Sequence, residues 1–282
     1  MPIKTAFSAL LSILLMVSAP AQALPAIARV DAPSAPALVR AFAHRVLART
    51  QDPAVLQKLA LGGAVLLEDY GAFSMWDVSS VSDSALAKNS LIEPREDYNT
   101  LILREATIDT LSAAPAAAAI PQSLSQTQTG SRFAMIQFYG PVKDEWLDAL
   151  RKTGVEIVTY MAENAFVVFG DDASLSRMSA MAQANRAVQW TGAYHPYYRL
   201  SSTLRETAAQ PQKGALNVAV QIYRTAEADA TTARLIELAK SAGGGLITKP
   251  EDILVYRNIA VQLPAAALAD VRDIQGVKTY EV

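Results

Sequence analysis

One order of apolar segments occurs twice in the second half of this sequence, and it limits the possible folds more than any other feature. Segments with the two-residue alternation of strands are separated by segments with the 3.6-residue period of amphipathic helices. The first copy predicts a strand at 133–139, a helix at 142–152, strands at 155–160 and 165–169, a helix capped by Asp171 or Asp172, and a strand at 186–192. This order predicts one sheet with both helices on one of its faces.

The second copy repeats this order closer to the end of the chain. It predicts a strand at 216–223, a helix at 230–242, a hairpin from 245–248 and 253–263, a helix at 265–274 and a strand at 277–282. Both copies read strand–helix–strand–strand–helix–strand, which is typical of ferredoxin-like domains. We therefore predict an α+β protein with tandem ferredoxin-like βαββαβ domains and antiparallel sheets, at residues 132–200 and 215–282.

Three other segments have the composition of a leader or of linkers. Residues 1–23 combine Lys4, an apolar run at 6–17 and a small-x-small motif at 21–23, which predicts a cleaved signal peptide. We therefore expect a secreted or periplasmic bacterial protein that leaves the membrane once the signal is removed. Residues 111–131 and 201–214 are rich in Ala, Ser, Gln and Pro without apolar periodicity, and they are predicted linkers.

Residues 24–110 form an amino-terminal region with a weaker version of the same pattern. The predicted elements are a helix over 34–61 interrupted at Asp52-Pro53, a hairpin within 65–79, a short helix at 82–88 and a strand at 99–104. This order favours a degenerate αββαβ unit that lacks the first strand. The alternative is an irregular extension that packs on the next domain.

The residues that usually carry out catalysis are sparse. The sequence has no cysteine and only two histidines, His44 and His195, neither of which has ligand spacing to another histidine or carboxylate. No nucleophile elbow or serine-protease triad motif is present, and Gly243–Gly245 follows a predicted helix, as a helix stop does. We therefore expect a non-catalytic chain without cofactor or metal, although an unrecognised enzyme remains an alternative. A net charge of -2 without a basic block gives no indication of nucleic-acid binding.

A βαββαβ domain leaves one face of its sheet uncovered by helices, and this face is the predicted docking surface. The strands at 133–139 and 165–169 have apolar or amphipathic side chains on both faces, which a secreted monomer does not normally leave bare. The candidate protein-docking residues are Met135, Gln137, Tyr139, Phe166, Val168 and Phe169. Alternatively, the tandem domains or the amino-terminal region cover each other.

Two segments of the chain also resemble a known family. They are residues 133–170 (FAMIQFYGPVKDEWLDALRKTGVEIVTYMAENAFVVFG) and residues 188–200 (VQWTGAYHPYYRL). They are similar to the amino-terminal prodomain region of secreted bacterial subtilisin-like serine proteases. The shared features are a strand ending in Gly-Pro, a Trp-containing helix, a Tyr-x-x-x-Asn-Ala hairpin and a Tyr-His-Pro segment after the last strand. Residues from Val65 onward match the same layout. The resemblance implies that the partner is a subtilisin-like protease domain, docked through the open sheet, and that the chain acts as its inhibitor and folding chaperone.

The sequence departs from that family pattern in one respect, because no protease domain is present. The chain stops at Val282, near the end of the last predicted strand, without a tail that could enter a substrate cleft. We therefore expect either a piece of a longer precursor, which would bind the protease in cis, or a stand-alone relative that binds in trans. The alternative function is an exported protein-binding or assembly module unrelated to protease control.

Overall fold

Short strands and helices succeed one another along the computed structural model, which describes residues 38–40, 44–81, 89–103, 106–111, 130–209, 214–268 and 277–281. The described strands form three four-stranded antiparallel sheets and a separate two-stranded hairpin. The predicted α+β class is therefore confirmed. The predicted signal peptide lies outside the described residues, as does most of the predicted linker 111–131.

The first unit contains four strands and one described helix. They are β1 Arg45–Ala48, α1 Pro53–Leu61, β2 Val65–Asp69, β3 Ser74–Asp77 and β4 Ile92–Pro94, and the strand order is β2-β3-β1-β4. The sequence predicted a helix over 34–61, and this prediction is wrong at residues 45–48, which form the central strand β1. Val46 packs toward α1 with Trp76, whereas Leu47 packs on the opposite face, so both faces of this four-residue strand are apolar. The helix begins only at Pro53, where the carboxylate of Asp52 accepts a hydrogen bond from the Ala54 backbone.

A separate hairpin follows the first unit. It consists of β5 Thr100–Leu103 and β6 Ala106–Asp109. The strand predicted at 99–104 therefore does not complete the first sheet, because β4 occupies that position beside β1. The predicted helix at 82–88 lies outside the described residues.

The middle unit has the element order strand–helix–strand–strand–helix–strand. Its elements are β7 Arg132–Phe138, α2 Asp144–Arg151, β8 Glu156–Met161, β9 Ala165–Gly170, α3 Asp172–Ala184 and β10 Val188–Ala193, and its sheet order is β10-β7-β9-β8.

Local interactions explain where the helices and strands of the middle unit begin and end. Gly154 takes a φ of 87° just after α2, and the Asp171 carboxylate accepts a hydrogen bond from Ser174 N at 2.7 Å to cap α3. Ala162, Glu163 and Asn164 form the three-residue turn between β8 and β9, and the last two have positive φ.

The third unit is preceded by two helices that the sequence did not predict. These are α4 Pro196–Arg199 and α5 Ser202–Ala209, and α5 lies inside the predicted linker 201–214. The third unit itself contains β11 Ala215–Tyr223, α6 Ala228–Ser241, β12 Gly245–Ile253, β13 Tyr256–Pro264, a 3-10 turn at Ala265–Ala267 and β14 Val277–Glu281. Its sheet order is β12-β13-β11-β14. Most of the helix predicted at 265–274 lies outside the described residues.

All three sheets share one strand order. When the strands of each unit are numbered along the chain, the order in every sheet is 2-3-1-4, so the second strand always lies at an edge. The three equivalent edge strands are β2, β8 and β12, and the pairing of each with its neighbour is interrupted by a register shift. Such bulges twist an edge and oppose pairing with another chain.

Candidate docking surfaces

The structure buries all six residues that the sequence predicted as a docking face. Met135, Gln137 and Val168 are fully buried, and Tyr139, Phe166 and Phe169 are at most 8% exposed. The prediction that they form an accessible surface is therefore wrong. The six side chains also do not share one face, because side chains alternate along each strand.

Phe166 and Val168 face the two helices of the middle unit. They pack in one apolar cluster with Trp146 and Leu150 of α2 and with Leu175 of α3. Tyr139 belongs to the same cluster at the end of β7, where its hydroxyl donates to the carbonyl oxygen of Leu67 at 2.9 Å. These three residues therefore belong to the internal core between the helices and the first unit.

Met135 and Phe169 lie on the opposite face of the middle sheet, which other segments of the chain cover. Leu101 and Ile108 of the β5–β6 hairpin are at most 1% exposed and belong to the same cluster. Leu204 of α5 is also fully buried there. This agrees with the alternative in which neighbouring segments cover the sheet. The sequence could not place the hairpin because its contacts with the middle sheet are long-range.

Gln137 is buried in a polar network that joins the first and middle units. Its Nε2 donates to the carbonyl oxygens of Tyr98 and Glu163, both at 2.9 Å. Gln189 of β10 donates to Gln137 Oε1 at 3.3 Å and to Thr110 Oγ1 at 3.0 Å. Because these amide groups have hydrogen-bond partners, a sheet face that includes glutamine can be buried at little cost.

Arg45 supplies the positive charge of this network. Its guanidinium donates to the Tyr139 carbonyl at 2.8 Å and to the side-chain oxygens of Gln189 and Asn99. All three acceptors are neutral, and burial lowers the pKa of Arg45 to about 10. The network therefore links β1 to the end of β7 and to β10, and it leaves Arg45 1% exposed and inaccessible to a ligand.

Exposed apolar side chains concentrate instead in the β12–β13 hairpin of the third unit. Leu254 at the turn is 85% exposed, and Val255 beside it is 45% exposed. Along β12, Leu246, Ile247 and Ile253 are between 42% and 47% exposed. The sequence predicted a hairpin here with strands at 245–248 and 253–263, but β12 continues to Ile253 and the turn lies at residues 254–255. The exposure was not predicted, and it follows from the turn and from the edge position of β12 in the sheet.

The sheet face of the third unit opposite α6 is polar. The alternation along β11 and β13 places Asn217, Gln221, Asn258 and Gln262 on this face, around the small side chains of Ala219 and Ala260. A shallow groove of about 320 Å³ lies over the alanines, bordered by Thr248, Lys249 and Glu251 of β12. An apolar hairpin therefore borders a groove lined by alanine and amide side chains, with one basic and one acidic residue at its border.

The chemically reactive side chains are dispersed. His44 Nδ1 lies 3.5 Å from Glu96 Oε1 on the surface, and His195 precedes α4. Asp172 forms an ion pair with Arg132 and accepts a hydrogen bond from Gly130 N at 2.9 Å, so its contacts stabilise the fold. Within the described ranges, no group of three or more His, Cys, Asp or Glu side chains is placed to hold a metal ion. No helix in those ranges is long and apolar enough to cross a membrane.

A domain family of unknown function (DUF8729) matches residues 102–195, which run from the β5–β6 hairpin through the middle unit. No curated protein matches the chain.

Proposed function

We propose that this chain is a non-catalytic, prodomain-like module that binds a secreted subtilisin-like serine protease, inhibits it and assists its folding. The observation that carries the binding role is the concentration of exposed apolar side chains in one hairpin. Of the eleven large apolar residues exposed in the described part of the chain, five lie between Leu246 and Val255. Exposed apolar patches of this kind mark interaction sites in soluble proteins.

The third unit, and not the middle one, is the contact surface in this proposal. The middle sheet has both faces occupied by the protein's own side chains, so docking there would require its core to open. The β12–β13 hairpin is already ordered by backbone pairing along its length, and binding through it would have a low ordering cost.

We further infer that the three units are tandem ferredoxin-like domains. The shared 2-3-1-4 strand order of the three sheets supports this inference, as does the complete element order of the middle unit. The choice of a subtilisin-like protease as partner, in cis or in trans and outside the cytoplasm, is supported by the sequence resemblance of residues 133–170 and 188–200.

Protease inhibition and refolding assays test this proposal directly. The purified chain is mixed with a panel of purified bacterial subtilisins, and peptide hydrolysis is followed together with recovery of activity after dilution from guanidinium. We expect inhibition and faster recovery for at least one subtilisin, and no effect on a trypsin-fold protease used as the control.

An absence of inhibition and of refolding assistance across the panel would contradict the proposal. It would favour the second hypothesis, an exported binding or assembly module whose partner is not a protease. Hydrolysis of peptides or esters by the chain itself would contradict both hypotheses.

A further inference from the structure

The turn between β12 and β13 has an unusual combination of side chains and backbone. We call Ile253, Leu254 and Val255 the apolar tip. Ile253 pairs with Tyr256, so Leu254 and Val255 form a two-residue turn. The exposures of the three side chains are 47%, 85% and 45%, and the tip therefore presents three adjacent aliphatic groups to solvent.

Leu254 is a poor residue for this turn in terms of folding. Its φ is 54°, in the left-handed region where a branched apolar residue is strained. A two-residue hairpin turn with positive φ at its first position usually has glycine there. Because Leu254 is 85% exposed, its side chain also gains little from packing within the chain. Neither local backbone preference nor burial explains a leucine at this position.

Arg224 connects the apolar tip to the end of β11. Its Nη1 donates to the Leu254 carbonyl at 2.9 Å, and its backbone N donates to the Val255 carbonyl at 2.9 Å. The Asp252 carboxylate lies 3.2 Å from Arg224 Nε and accepts from Arg257 Nε at 2.7 Å. The tip is therefore attached to the end of β11 and to the base of its own hairpin. A rigid, exposed apolar group needs little ordering when it binds.

The charges around the apolar tip balance one another. The ion pairs and the neighbouring groove contain three basic side chains, Arg224, Lys249 and Arg257, and three acidic ones, Asp229, Glu251 and Asp252. Asp252 is shared between two arginines, and the Arg257 hydrogen bond lowers its pKa. A balanced rim does not attract a charged partner or an anionic lipid surface from a distance.

We propose that the apolar tip is a preorganised anchor that inserts Leu254 into an uncharged apolar pocket on the partner protein. This inference rests on the proposed function for the identity of the partner, a subtilisin-like protease. It adds the contacting residue, the chemistry of the pocket and the positioning role of Arg224. The anchor is convex and rigid, and it therefore requires a concave partner surface.

The test compares Leu254→Asn with the matched control Leu61→Asn. Asparagine accepts positive φ, so Leu254→Asn keeps the turn and removes only the apolar group. Leu61 is 82% exposed at the end of α1 in the first unit and controls for loss of an exposed leucine. Binding to subtilisin inactivated at its catalytic serine is measured by calorimetry, beside thermal unfolding of each variant.

We expect Leu254→Asn to bind about 30-fold more weakly, as for an interface anchor, with unchanged or higher thermal stability. Leu61→Asn should bind as the wild type does. Arg224→Lys retains the charge but loses the simultaneous side-chain contacts with the Leu254 carbonyl and the Asp252 carboxylate, and it should give a smaller loss. Raising the ionic strength from about 0.1 M to about 1 M should change the wild-type affinity less than about threefold.

The possible failures are distinguishable. If the wild type binds and Leu254→Asn binds equally well, the anchor is overturned and the proposed function stands. If the wild type does not bind any inactivated subtilisin, both the proposed function and the anchor inference fail. If the wild type instead binds phosphatidylcholine–phosphatidylserine vesicles through Leu254, the tip contacts lipid and the protein pocket is overturned.

Discussion

Arg45 places a guanidinium among neutral oxygens at the junction of the first and middle units. Asn99 and Gln189 supply side-chain oxygens, and Tyr139 supplies a carbonyl. Burial of a charge without a carboxylate in contact is costly, but loss of the arginine would leave three buried acceptors with fewer donors. The side chain therefore stabilises the junction chiefly because its acceptors depend on it.

We predict that Arg45→Met lowers the free energy of unfolding by about 3 kcal/mol, because it removes hydrogen-bond donors from three buried neutral acceptors. The measurement is urea denaturation followed by circular dichroism. Arg49→Met is the matched control, because Arg49 lies one residue beyond β1 and pairs with Glu93 on the surface, where such pairs contribute less than about 1 kcal/mol. Equal losses for the two variants would contradict this role.

Phe166 and Phe169 allow a second prediction at the residue scale. Both are at most 8% exposed, on opposite faces of β9. Either Phe166→Asp or Phe169→Asp should destabilise the chain by more than about 4 kcal/mol, because an unpaired carboxylate would enter a core. Thermal unfolding is the readout, and Tyr160→Asp, at a side chain that is 58% exposed on β8, is the control. A stable Phe169→Asp variant would indicate that this face opens in solution.

Asp172 makes the stability of the middle unit depend on pH. Its hydrogen bonds with Arg132 and Gly130 lower its pKa below the usual value of 3.8. A carboxylate with a depressed folded-state pKa contributes stability above its unfolded pKa, and that contribution disappears as the pH falls through the folded value. We predict that Asp172→Asn has a shallower loss of melting temperature than the wild type as the pH falls below about 4. If the melting temperatures of the two proteins fell equally as the pH was lowered, this account would be contradicted.

At the scale of elements, the β5–β6 hairpin is one of the segments that cover the middle sheet. It is outside the four-stranded sheets, and a two-stranded hairpin has little stability in water by itself. Leu101 and Ile108 attach it to the sheet face that also contains Met135. The hairpin is therefore a cover whose position depends on a few buried side chains.

We predict that Leu101→Ala lowers the stability by about 3 kcal/mol and increases binding of the dye ANS, since the middle sheet would become partly accessible. Ile102→Ala is the matched control in the same strand, where the side chain is 64% exposed and its loss should cost less than about 0.5 kcal/mol. Unchanged dye binding in a destabilised Leu101→Ala variant would show that the cover does not open.

The sequence predicts elements well where their boundaries have local causes. The middle unit is an example, because Gly154 ends a helix region and Asp171 caps the next helix. Strand β1 was missed because it is four residues long and is stabilised by pairing with β3 and β4, which are distant in sequence. Long-range pairing also explains why the site was not predicted. Burial of Met135 depends on segments that are distant in sequence, and exposure of Leu254 depends on where the turn falls between β12 and β13.

At the scale of the whole molecule, the three sheets share one strand order but differ in which segments pack against them. One apolar cluster and the Arg45 network join the first and middle sheets, and a second cluster joins the middle sheet to the third unit. The third unit also has an exposed hairpin and a polar groove. A register shift in each of the three edge strands opposes edge-to-edge association. Binding through the side chains of the apolar tip is compatible with this protection, because it does not require a free strand edge.

Hydrogen–deuterium exchange of the chain with and without inactivated subtilisin tests the central claim most directly. The account predicts slower exchange on binding in the β12–β13 hairpin, centred on Leu254, and unchanged exchange in β7 and β9. Protection of β7 and β9 without protection of the hairpin, or no protection in any segment, would contradict it.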